Sequence, residues 1–252
     1  MVYSNLPTIV LVHGAFAESA SWNGVIANLD RRGYRSVSVA NPLRDLQQDA
    51  AYLRSIIDAL PGPLVVAGHS YGGSVMSEAA DGAENVSALV YVASFHLEPG
   101  ESTAELAGKF PGAQLGAALE PTPFPLGDGT TGTDLYIAPD RYGEVFAADV
   151  ELEVAALMAA TQRPIAAAAL EAAATKAAWR TIPSWAVIAR QDLAIPLEST
   201  RFMADRAGST TVEIDASHAI TVSQPDVVAD AIDSAARATA GQPVAAGSVT
   251  TG

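Results

Sequence analysis

Six short apolar runs, rich in β-branched residues, punctuate the chain at 8–12, 36–40, 64–67, 88–93, 184–189 and 211–214. Near-continuous hydrophobicity over so few residues marks strands buried on both faces, the situation of a parallel sheet whose crossovers are helices. The text between the runs agrees. Trp22, Val25, Ile26 and Leu29 share one face of a predicted helix over 19–32. Leu46, Leu53, Ile56, Ile57 and Leu60 do the same over 45–60, and Pro61-Gly62 ends that helix. Further helices are predicted over 70–80 and 225–239, the latter with proline suitably placed in its first turn. Alternation of this kind predicts an α/β fold, a mainly parallel sheet with helices on both faces.

One interval breaks the rhythm. Between 96 and 180 no buried-type strand is predicted: turn-rich text, including PTPFPLGDGTTGTD at 121–134, gives way to a strongly helical pattern over 139–178. This reads as a largely helical cap inserted between the strands at 88–93 and 184–189, in a core made of 1–95 and 181–239. Ligands of open α/β sheets sit at the carboxyl ends of strands, where such an insertion starts, so a lid is expected. From 240 to 252 the chain has little to bury and is expected to be disordered.

Composition narrows the function. A net charge of −14 excludes the usual basic footprint of nucleic-acid binding and argues against an anionic membrane surface. With no cysteine, a disulfide framework, a thiolate metal site and a cysteine nucleophile are all excluded. TIVLV near the start is too short for a membrane span or a signal h-region, so a cytoplasmic location is expected. No metal-ligand spacing stands out, and the oligomeric state is not legible.

The stretch LVVAGHSYGGSV, 64–75, joins a predicted strand to a predicted helix through Gly68-His69-Ser70-Tyr71-Gly72. A sharp strand-to-helix turn strains the serine and exposes its hydroxyl, and side chains two positions away on either side would collide with the turn. Ser70 is the candidate nucleophile. A neutral serine needs a base. Of the four histidines, His69 adjoins Ser70 and points away from it, and His13 belongs to a loop-tying VHGAF segment. His96 lies at the lid entrance. His218, in the loop after the last strand, is the best candidate. The carboxylate that fixes its tautomer is expected to be Asp192, in the loop after 184–189. Asp215 is only three residues from His218, and Glu98 sits in a Glu-Pro-Gly turn. The oxyanion donors are expected to be the backbone N–H groups of Tyr71 and of Ala15, beside Gly14. Losing one such donor typically costs about 3–4 kcal/mol of transition-state stabilisation. Phe16, His96, Phe124 and Trp179 are the candidate substrate contacts, with Phe95, Tyr142 and Phe146 among the other pocket or cap-core residues.

Taken together, IVLVHGAFAESASW, GHSYGG, ARQDLAIP and ASHAITVSQPDVVADAI resemble the α/β-hydrolase superfamily, in particular its small single-domain branch of plant methylesterases, hydroxynitrile lyases and bacterial esterases. The resemblance implies a six-stranded parallel sheet without the extra N-terminal strands of larger relatives, a helical cap and no cofactor. It also implies Ser70, Asp192 and His218 as the triad. Hydroxynitrile lyases of this branch carry a lysine after the catalytic histidine and a threonine after the first-strand histidine, where this chain has Ala219 and Gly14. Related dehalogenases and epoxide hydrolases have an aspartate at the position of Ser70. Hydrolysis of small to medium apolar carboxylic esters through an acyl-enzyme is therefore the leading expectation. The alternatives are cofactor-free lyase, oxygenase or C–C hydrolase chemistry, and a non-enzymatic small-molecule binder.

Overall fold

The computed structural model describes residues 6–241, so most of the expected C-terminal tail lies outside the described residues. The first part of the chain runs β1 (Thr8–Val12), α1 (Asn23–Arg31), β2 (Ser36–Val39), α2 (Leu46–Ala59), β3 (Leu64–His69), α3 (Tyr71–Ala80) and β4 (Val86–Val92). The insertion contributes α4 (Thr103–Gly108), β5 (Leu119–Pro125), β6 (Thr131–Ile137), α5 (Pro139–Phe146), α6 (Leu152–Thr161), β7 (Ile165–Ala166) and α7 (Ala167–Glu171). The chain then continues through β8 (Ser184–Ala189), α8 (Leu197–Ala207), β9 (Thr210–Ile214), α9 (Ile220–Ser223) and α10 (Pro225–Ala238).

Six parallel strands form the main sheet in the order β2-β1-β3-β4-β8-β9. Their side chains alternate between two cores, as the strand period of two requires. Ile9, Leu11, Val65 and Ala67 face Trp22, just before α1, and the helices α1 and α10 through Leu29, Val228 and Ile232. Val10, Val12, Leu64 and Val66 face α2 and α3 through Leu46, Leu53, Val75 and Met76. The inner strands β1, β3 and β8 are buried at every residue, which is why they read as unbroken apolar runs, whereas the edge strands β2 and β9 are only partly covered. The chain steps outward from β1 to β2 and then crosses back to β3, so a crevice opens beyond the carboxyl ends of β1 and β3.

The insertion departs from the helical expectation. Its 119–137 segment is an antiparallel hairpin, and β7 adds a third strand to make a small sheet in the order β5-β6-β7. Prolines at 121, 123 and 125 argue for loop when read along the sequence. On an edge strand, however, alternate positions face the same way, so the missing N–H groups fall together on the unpaired side. The hairpin turn is closed by Leu126 N–H on Thr130 O and by Thr130 N–H on the Asp128 carboxylate.

Candidate active site

The turn between β3 and α3 is held from several sides. Ser70 has φ 53° and ψ −128°, a region that costs on the order of 1–3 kcal/mol and persists only where its surroundings enforce it. Its N–H donates to Val92 O at 3.2 Å, and its carbonyl accepts from Ser94 Oγ at 2.6 Å and from Gly73 N–H at 3.0 Å. A Cβ on Gly72 would lie 2.3 Å from Val12 O, and one on Gly68 would lie 2.7 Å from Gly72 and Gly73 backbone atoms. The glycines of the motif are thus demanded by backbone crossing backbone. The result is a serine on the floor of a cavity of about 320 Å³, at the mouth of the β1–β3 crevice.

His218 reaches this turn from the loop after β9. Its Nδ1–H donates to Asp192 Oδ2 at 2.7 Å, and both side chains are 1 % exposed. The other carboxylate oxygen, Oδ1, accepts from the N–H groups of Ala194 at 2.7 Å and Ile195 at 2.9 Å. With Nδ1 as donor, Nε2 carries the lone pair a base needs. His69, next to Ser70, donates Nε2–H to the backbone oxygen of His218 at 2.9 Å, and the two rings lie 4.8 Å apart. The Ser70 hydroxyl and His218 Nε2 each lack a hydrogen-bond partner among the described residues, and in resting sites such bonds often form only with substrate.

Two of the other buried histidines near this end of the sheet, His13 and His69, are structural. His13 donates Nδ1–H to Gly14 O at 2.9 Å and accepts at Nε2 from Asn41 N–H at 3.0 Å, which ties the loop after β1 to the loop after β2. Burial pulls His13 down to about 4 and His69 to about 3, so both rings are neutral near pH 7.

Ala15 and Tyr71 both border the cavity. Among the described residues, Tyr71 N–H, which opens α3, has no partner and Ala15 N–H has none either, whereas Phe16 N–H is already given to Arg163 O at 3.0 Å. The Tyr71 ring faces the other way, its hydroxyl donating to the buried Asp49 carboxylate at 2.9 Å. A Cβ on Gly14 would sit 2.6 Å from Ser70 Cβ and 2.8 Å from His69 O, so this loop presses directly on the Ser70 turn.

Of the four candidate substrate contacts, only Phe16 lines this cavity. His96 is 1 % exposed, stacked on Tyr91 at 3.6 Å with Ser209 Oγ 3.4 Å from Nε2, and its neighbour Phe95 takes the place on the cavity wall. Trp179 is spent on structure, its Nε1–H on Leu97 O at 3.0 Å and its ring beside Arg206. Phe124 lies on the β5–β6 hairpin, covering Gly132 of the paired strand and lying 5.1 Å below the Arg44 guanidinium. All three are aromatic side chains in or beside the insertion, and each ring is used by its own local packing. The remaining wall comes mostly from small residues that carry no positive sequence signal, such as Ala104, Ala107, Gly116 and Ala117. Ala194 and Ile195 do carry a sequence signal, since they follow Asp192 by two and three residues and donate their N–H groups to its carboxylate.

Among the described residues, no group of three or more His, Asp or Glu is placed to hold a metal ion, and no helix is long and apolar enough to cross a membrane.

The sequence profile of the alpha/beta hydrolase family matches residues 9–231. An alpha/beta hydrolase of Aspergillus novofumigatus (strain IBT 16806), nvfD, is 27% identical over 255 residues, covering 91% of this chain and 96% of that protein. Among solved structures, a pyrethroid hydrolase from Sphingobium faniae JZ-2 superposes with TM-score 0.74 at 22% identity, over 92% of this chain and 98% of that one. The methylesterase protein MES16 from Arabidopsis superposes with TM-score 0.76 at 20% identity, over 91% and 98%. At these identities the two structures are alike in fold.

Proposed function

Because this chain belongs to the alpha/beta hydrolase family, we propose that its site is that of a serine esterase, cleaving small to medium uncharged carboxylic esters through an acyl-enzyme. Ser70 Oγ attacks the ester carbonyl while His218 Nε2 takes its proton. His218 then gives that proton to the leaving alcohol. Asp192 holds the imidazole in the required tautomer and stabilises the imidazolium. The N–H groups of Ala15 and Tyr71 receive the charge that develops on the carbonyl oxygen. Water, activated by the same histidine, releases the acid and regenerates Ser70.

The observation that carries this reading is Ser70 itself: a strained serine at the β3–α3 turn, opening on a cavity, with a histidine whose Nδ1–H is committed to a buried carboxylate held against the same turn through His69. The substrate class follows from the walls. No Asp, Glu, Lys, Arg or His side chain lines the cavity, so a charged substrate would lose its hydration with nothing to replace it. The names of the two structural relatives, a pyrethroid hydrolase and a methylesterase, agree with ester cleavage. In this reading the core, 1–95 and 181–239, carries the chemistry, and the 96–180 insertion caps it.

The test is hydrolysis of p-nitrophenyl esters of increasing acyl length by the wild type and by Ser70→Ala, with fluorophosphonate labelling alongside. Turnover by the wild type that falls by at least about 10³-fold in the variant, with one label per chain lost at the same time, is expected. Equal rates in the two proteins, or no ester turned over and no label taken up, would move the search to base-only chemistry at His218 or to ligand binding.

A further inference from the structure

One short stretch of the insertion holds both loops that the proposed esterase needs. At one end, Tyr142 on α5 donates its hydroxyl to Phe16 O at 2.7 Å, next to the bond from Phe16 N–H to Arg163 O. At the other end, Phe146 O accepts from Ala219 N–H at 2.9 Å and from the Ser217 hydroxyl at 3.3 Å, and the Asp149 carboxylate also takes the Ser217 hydroxyl. The Phe146 ring bridges the two, lying edge-on to Phe16 at 6.4 Å and against His218 at 4.8 Å. The loop bearing the Ala15 donor and the loop bearing the base therefore share a single support.

Phe16 needs that support. Its φ is 60°, left-handed and unfavourable by about 1–2 kcal/mol for a residue with a side chain. Such a residue stays in place only while its neighbours over-determine it. Release of Phe16 to negative φ would turn the chain next to Ala15 and swing the donor away from Ser70. Tyr142 is fully buried, and its ring packs on Phe146 at 5.0 Å. Removing its hydroxyl alone would keep that packing and leave the buried Phe16 carbonyl without its partner, a cost the loop relieves by moving.

From this we infer that Tyr142 is a positioning residue: its hydroxyl holds the oxyanion loop in its strained, donor-presenting form, and the 142–149 stretch sets that loop against the His218 loop. The inference rests on the esterase reading for its catalytic consequence, but the hold itself is independent of turnover.

The test is Tyr142→Phe, checked for folding by circular dichroism. Three changes are expected. Turnover of a p-nitrophenyl ester falls by about 10- to 100-fold in kcat with KM within about twofold, the loss typical of a misplaced catalytic group. Affinity for a trifluoromethyl ketone, whose Ser70 adduct places an oxyanion on the same donors, falls by a similar factor. Amide exchange in peptides covering residues 14–17 rises.

Unchanged kcat, or a lower kcat with unchanged ketone affinity, overturns the inference. Unchanged exchange overturns it whether or not the wild type turns over any ester. Raised exchange in a protein that hydrolyses nothing upholds the hold and overturns only the esterase reading. If Tyr142→Phe does not fold, Ser217→Ala tests the same brace from its other end. Faster exchange over 216–220 with a reduced kcat supports the brace, and no change in either overturns it.

Discussion

Gly14→Ala is the sharpest perturbation of the proposed oxyanion loop. The added methyl would lie 2.6 Å from Ser70 Cβ, 2.8 Å from His69 O and 3.3 Å from Ser70 Oγ. Ordinary carbon contact begins near 3.4 Å, so one side must withdraw by about 0.8 Å. The Ser70 side cannot yield cheaply. Its backbone is pinned by Val92 O, Ser94 Oγ and Gly73 N–H, and Gly72 lies hard against Val12 O. The loop from 14 to 16 has to move instead, and it carries the Ala15 donor away from the reacting carbonyl. A displacement approaching 1 Å costs about 10²-fold in rate, or about 2.7 kcal/mol of transition-state stabilisation. Overpacking should cost about 1–3 kcal/mol of stability as well. The assay is steady-state hydrolysis of one p-nitrophenyl ester together with a thermal melt. The loss should appear in kcat, because substrate contacts on the far cavity wall are untouched. A variant that keeps kcat within about threefold and melts with the wild type would refute the argument, since the loop could not then lie in register with Ser70.

Other outcomes follow from the same geometry. In Asp192→Asn the side-chain oxygen is needed by the N–H groups of Ala194 and Ile195, so the amide NH₂ must face His218 Nδ1. That forces the proton to Nε2 and removes the base, with an expected loss of about 10⁴-fold in kcat in a folded protein. A loss below about tenfold would mean that His218 is not the base. Acid sensitivity is expected from the buried histidines. Burial lowers His13 to about 4 and His69 and His96 to about 3, whereas in the unfolded chain they titrate near 6.5. Between pH 6.5 and about 4 the unfolded state therefore binds more protons, and stability falls as pH falls, by up to about 1.4 kcal/mol per pH unit for each histidine. Burial raises Asp49, which works in the opposite direction and offsets part of this slope. A melting temperature that stays level from pH 7 to pH 5 would contradict the assignment of neutral, buried rings.

Much of this molecule is readable along the chain. The inner strands announce themselves because burial on both faces leaves no polar alternation. The Ser70 turn is legible because steric demand there falls on glycines at fixed offsets, a local rule that needs no knowledge of the rest of the fold. The meeting of His218 and Asp192 follows from parallel topology, which gathers every strand's carboxyl end on one side, so that loops 26 residues apart can form the His218–Asp192 pair. The hairpin at 119–137 is not legible, because its prolines are compatible with a strand only at an edge, and being an edge is a property of the assembled sheet. Nor are the cavity walls, since empty space is made by alanines and glycines that give no signal of their own. Aromatic rings mislead for the opposite reason: large apolar surface is taken up by the nearest partner, as in His96 on Tyr91 and Phe124 over Gly132. Local sterics and burial thus determined the strands, the Ser70 turn and the order along the chain of Ser70, Asp192 and His218 from sequence alone. Which side chains face the cavity, and that Tyr142 and Phe146 brace the two loops beside it, depends on contacts between segments more than 70 residues apart, and only the tertiary structure decided it.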